Sequence, residues 1–83
     1  KRQTVDIDVT VHMADAMCNA RIVNLSTTGF ALSGVNDCDL GNRIMAQLPD
    51  GRTLEAEVSW QSGDRAGAKL ICPLELDDPM FER

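Results

Sequence analysis

Apolar and polar residues alternate with a period of two along most of this chain, and that pattern restricts it to strands. Val5, Ile7, Val9, Val11 and Met13 alternate with Asp6, Asp8, Thr10 and His12. Successive side chains of an extended strand point to opposite faces, so the pattern buries one face and wets the other. Leu54, Ala56, Val58 and Trp60 repeat it against Glu55, Glu57 and Ser59. Shorter copies are Cys18, Ala20 and Ile22; Phe30 and Leu32; Ile44, Ala46 and Leu48; and Ala66, Ala68, Leu70 and Cys72. Six strands are expected, at 4–13, 17–25, 29–35, 42–48, 53–61 and 65–72.

The punctuation between these runs agrees. Pro49-Asp50-Gly51-Arg52 reads as a tight hairpin, because Asp-Gly tolerates the positive φ such turns need. Ser62-Gly63-Asp64 and Gly41-Asn42 mark two further turns. Helical periodicity is absent from residues 1–72, and only Asp77-Asp78-Pro79 has the acids and proline of a short C-terminal helical turn. Short strands with one apolar face each must stack or close on themselves. The expected fold is therefore all-β, a small six-stranded antiparallel β-barrel, with residues 1–83 as one domain. Its core is expected from Val5, Ile7, Val9, Val11, Ile22, Leu25, Phe30, Leu32, Ile44, Leu48, Leu54, Val58 and Leu70.

Charge and cysteine usage narrow the function classes. A net charge of −5 argues against general nucleic-acid binding, which needs a basic face. It leaves room for a small anionic ligand held by a few local cations. The three cysteines lack metal-ligand spacing and cannot all pair with one another, which fits free thiols in a cytoplasmic setting. Cys18 and Cys72 fall on the apolar phase and are expected to be buried, with Cys38 in a loop. Apolar runs of two or three residues cannot span a bilayer, so no membrane contact is expected. No metal or other cofactor is expected.

The second strand breaks its own parity. Apolar residues hold even positions through Ile22, then Leu25 takes an odd one while Asn24 and Ser26 take the even places. Such a shift marks a β-bulge or a strand end. Gly29, just beyond, suits a bulge or a close backbone approach. The stretch Asn24-Leu25-Ser26-Thr27-Thr28-Gly29 therefore combines an amide, hydroxyls and a bare backbone position, which together can read the edge of a base. Composition alone yields an Asn/Asp-x-Ser-x-x-Gly pattern by chance in on the order of one such chain in twenty-five, so its position must carry the argument. An ordinary polar turn uses the same residue types.

That position is between the second and third expected strands, and it resembles the PilZ domain family. In that family a six-stranded barrel carries an Asn/Asp-x-Ser-x-x-Gly motif at this place. Glu57-Val58-Ser59-Trp60, the turn at Gly63, and Ala66-Gly67-Ala68-Lys69-Leu70 are similar to the family's last two strands. The resemblance spans about residues 2–72. It implies a bacterial receptor domain that binds cyclic di-GMP in signal transduction, with Arg2, Asn24, Ser26 and Gly29 as ligand-binding residues. The family's other motif, Arg-x-x-x-Arg before the first strand, is matched only by Arg2 as its second arginine; Lys1 is out of register for the first. Either the given chain starts inside that motif or the domain carries an incomplete one. Arg21 and Lys69 match no motif position.

Catalysis is not expected. His12, the sole histidine, sits on a polar strand face without a nucleophile or a partner in motif context. The main alternative is a degenerate member of the family that binds no nucleotide and serves as an interaction module for a protein effector. An oligonucleotide-binding barrel is disfavoured by acidic charge and by only Phe30, Trp60 and Phe81 as aromatics.

Overall fold

In the computed structural model, which describes residues 3–13, 16–35 and 41–75, the alternating runs become six strands. They are β1 (Gln3–His12), β2 (Met17–Leu25), β3 (Gly29–Ser33), β4 (Arg43–Gln47), β5 (Thr53–Ser62) and β6 (Arg65–Leu70). All neighbours are antiparallel and the sheet closes in the order β1-β2-β3-β6-β5-β4. Closure is what lets so short a sheet bury one face and dispose of its edges. β4 returns to β1 through Thr10↔Gln47, Val11↔Ala46 and His12↔Met45, so the first half of β1 pairs with β2 alone. Among the described residues there is no helix, and hence none long and apolar enough to cross a membrane.

The inward phase of the alternation forms one core. Val11, Ile22, Leu25, Leu32 and Ile44 are essentially inaccessible, and Val5, Val9, Phe30, Leu48, Leu54, Val58 and Leu70 are buried with them. Burying each such side chain contributes about 1.5–3 kcal/mol. Ala20, Ala46, Ala56, Ala66 and Ala68 fill the narrow interior where larger side chains would not fit. No polar or charged side chain is buried among the described residues. The hairpin at Pro49-Asp50 forms as expected: Gly51 donates to the Leu48 carbonyl at 3.0 Å and adopts φ +94°, while Asp50 Oδ1 accepts from the Arg52 amide at 2.9 Å.

Several expectations need correction. Ile7 is only half-buried, packed against the core at the edge of a register shift in β1. β3 ends at Ser33 rather than at 35: Gly34 turns the chain with φ +81°. Val35 is nonetheless fully buried, and its amide donates to the Asp64 carbonyl at 3.0 Å. β6 ends at Leu70 rather than at 72, where its ladder with β5 stops, so Cys72 is exposed instead of buried. Cys18 is half-buried against the core rather than fully enclosed. Trp60 is also exposed, off the inward phase of Leu54, Ala56 and Val58. Cys38 and the expected helical turn at Asp77-Asp78-Pro79 lie outside the described residues.

Candidate functional site

The parity break in β2 is a bulge. Ile22 pairs with Leu32 and Asn24 with Ala31, so Val23 is the extra residue. Ile22 and Leu25 are both fully buried, which leaves Val23 and Asn24 between them on the outer side, half-buried. The Asn24 side chain makes no hydrogen bond among the described residues, so its amide is available to a ligand.

Ser26 then builds the turn into β3. Its amide donates to the Gly29 carbonyl at 2.9 Å. Its Oγ donates to the same carbonyl at 3.3 Å and accepts from the Thr28 amide at 3.3 Å. A serine that bonds its own turn in this way replaces a backbone partner and fixes the loop. The outer side of the turn is held too, since the Thr28 carbonyl accepts from Leu70 N at 2.8 Å and the Thr27 carbonyl from Leu74 N at 2.7 Å. At Gly29 the constraint is space. A Cβ there would run into the Ala68 carbonyl of β6, well inside contact distance.

Two cross-strand rows extend this motif over the outer surface. Asn24 pairs with Ala31, Ala31 with Gly67 and Gly67 with Trp60, one residue from each of β2, β3, β6 and β5. Gly29 pairs with Lys69, Lys69 with Glu57 and Glu57 with Arg43. Ala31 and Gly67 lie on the outward register of the first row but are buried, with the Trp60 indole lying over Gly67. Asn24 and Ser26 flank the rows on the β2 side, and Trp60 and Lys69 lie across β3 from them. The alternation Leu54-Ala56-Val58-Trp60 misassigned Trp60, because a second bulge, between Val58 and Trp60, turns the indole outward. The signal that would have found it was Gly67, a glycine inside a strand.

Arg2 lies outside the described residues. The strand it precedes does start at the motif: Gln3 pairs with Leu25, the residue before Ser26. Arg21 is engaged elsewhere, with Nε 3.0 Å from Asp6 Oδ1 and 3.2 Å from Asp8 Oδ1 on an exposed face. Arg43 faces Glu55 at 3.6 Å. Lys69 is exposed and makes no ion pair among the described residues. His12 is a surface residue bonded to Gln47 Oε1 at 3.1 Å. Among the described residues no three His, Cys, Asp or Glu side chains group as metal ligands.

Two surface depressions lie apart from the motif. One, of about 500 Å³, is lined by residues that include Asp8, Thr10, Asn19, Gln47 and Pro49. The other, of about 290 Å³, includes Asp8, Arg21, Ser33 and Gly34. Neither includes Asn24, Ser26 or Gly29. No aromatic side chain lines either of them.

Among curated proteins, none matches the chain. The PilZ domain model, by contrast, matches residues 1–81 of its 83 residues. With the six-stranded closed barrel and the motif turn between β2 and β3, the chain belongs to the PilZ domain family.

Proposed function

We propose that this domain is a receptor for cyclic di-GMP, held between the motif surface and the segment that carries Arg2. The observation that carries this reading is the pairing of Gln3 with Leu25, because it starts β1 one residue from the Ser26 turn. Arg2 is the next residue back along the chain. A planar guanidinium suits both phosphate and the guanine Hoogsteen edge. The free amide of Asn24 supplies a donor and an acceptor beside the Gly29 turn. Trp60, 38% exposed where it lies over Gly67, offers a face on which a base can stack. Family membership supports the ligand, since PilZ domains are generally cyclic di-GMP receptors. The role is binding, with no bond made or broken.

Magnitudes explain why the motif wall needs the N-terminal segment. A micromolar site requires about 8 kcal/mol. A bidentate base contact and a stacked base each contribute about 1–3 kcal/mol. Asn24, Trp60 and Arg2 together therefore barely reach the requirement before any ordering cost, and a further arginine four residues ahead of Arg2 would secure it. Titration calorimetry with cyclic di-GMP, on the chain extended by its natural upstream sequence, tests the reading. Micromolar binding is expected where that arginine is present. No binding at high micromolar nucleotide, in a chain that contains it, would overturn the receptor reading and favour an interaction module for a protein effector.

A further inference from the structure

The geometry points to Lys69 as a phosphate-facing cation of this site, outside both halves of the family signature; the inference rests on the cyclic di-GMP reading above. Lys69 is separated by some 40 residues from the motif, and only the closure of β3 against β6 makes it the direct partner of Gly29. Its neighbours Ala68 and Leu70 are buried, so the lysine projects outward, on the same surface as Asn24 and Trp60. Through that pairing Lys69 lies beside the residue whose carbonyl closes the Ser26 turn.

Position as well as charge distinguishes Lys69. Arg21 is committed to Asp6 and Asp8 and Arg43 faces Glu55, while Arg65, exposed and also without an ion pair among the described residues, lies at the far end of β6 opposite Ser33 and Ser62. Lys69 has Glu57 as its cross-strand neighbour on β5 but no ion pair with it within 4.0 Å. A domain of net charge −5 repels a ligand with two phosphodiesters unless local cations offset the field. Lys69 supplies one from the barrel side, where its backbone position is fixed by the ladder. Glu57 acts against it and sets an upper limit on affinity.

The test uses the upstream-extended chain and calorimetry with cyclic di-GMP at several salt concentrations. Lys69→Met is expected to weaken binding about tenfold and to flatten its salt dependence, with an unchanged melting temperature. Lys69→Arg is expected to stay within about threefold of the unmodified chain, and Glu57→Gln to bind more tightly. Arg43→Met, in the same row but facing Glu55, is expected to leave binding unchanged. If Lys69→Met keeps full affinity and full salt dependence while the unmodified chain binds, the role of Lys69 is overturned and the receptor reading stands. Equal losses in Lys69→Met and Lys69→Arg, with salt dependence intact, would mean packing rather than charge and would also overturn it. An unmodified chain that binds nothing overturns both.

Discussion

The indole of Trp60 occupies the space in which a side chain at Gly67 would lie. The two residues are paired across β5 and β6, and the bulge at Ser59 is what turns Trp60 onto the outer face. Ser59 Oγ donates to the Gly67 carbonyl at 3.2 Å, which fixes the bulge against the same glycine. Gly67→Ala must therefore displace the ring. Overpacking of this kind costs about 1–3 kcal/mol. Because Trp60 is the sole tryptophan, a denaturant titration followed by its fluorescence reads both effects at once. A lower midpoint and a red-shifted native emission are expected; unchanged emission would mean that the ring does not rest on Gly67.

Gly29 is constrained by backbone rather than by a side chain. The atom that a Cβ would meet is the Ala68 carbonyl oxygen, which cannot rotate away without opening the β3–β6 ladder. Gly29→Ala is expected to lower stability by about 1–3 kcal/mol even with no ligand present. Amide exchange should localise the loss to Phe30, Ala31 and their β6 partners. Stability equal to that of the unmodified domain would reassign this glycine to ligand access alone.

Much of this architecture was legible because period-two alternation is itself the physical cause of a barrel core. The span of β2 agrees with the pattern to the residue, and the parity break at Leu25 announced the bulge that presents Asn24. The bulge in β5 left no mark on β5 itself, since Trp60 keeps the apolar parity of Val58 while the backbone reverses its face; its one trace was Gly67 on the neighbouring strand. The end of β6 was silent for a related reason. Cys72 continues the alternation, but its strand has run out of partners beyond Ala56↔Leu70. The motif could be placed from sequence because it is local. Lys69 and Trp60 could not be placed beside it, because only the β3–β6–β5 register brings them there.

Core truncation should separate inward from outward positions of similar sequence character. Val58 is 2% exposed, whereas Met45 is 45% exposed on the neighbouring strand. Val58→Ala is expected to cost about 1–3 kcal/mol through lost burial and a residual cavity. Met45→Ala should stay within about 0.5 kcal/mol of the unmodified domain. Equal costs in chemical denaturation would contradict the inward assignment of the Leu54-Ala56-Val58 phase.

The two described thiols should react at different rates. Cys72 is exposed beyond the end of β6, while Cys18 is half-buried against the core. Pulsed alkylation of the native protein, read by peptide mass spectrometry, is expected to label Cys72 within the shortest pulse. Cys18 should label more slowly and catch up in denaturant. A Cys18 that labels as fast as Cys72 in the native protein would mean that the start of β2 is open.

Asn24 and Ser26 belong to one motif but should behave differently when removed. Ser26 Oγ bonds both the Thr28 amide and the Gly29 carbonyl, so it supports the turn as well as facing the proposed ligand. The Asn24 side chain bonds nothing among the described residues. Asn24→Ala therefore removes a recognition group without a structural one. In the upstream-extended chain it is expected to weaken cyclic di-GMP binding about tenfold, equivalent to about 1.4 kcal/mol, with the melting temperature of the free domain unchanged. Ser26→Ala should weaken binding by at least as much. It should also lower the free-domain stability by about 0.5–1.5 kcal/mol, the usual net value of a lost hydrogen bond. The comparison needs only calorimetry and a thermal melt on each variant. A loss of stability in Asn24→Ala, or full binding in either variant, would show that the bulge and the turn serve the barrel and not a ligand.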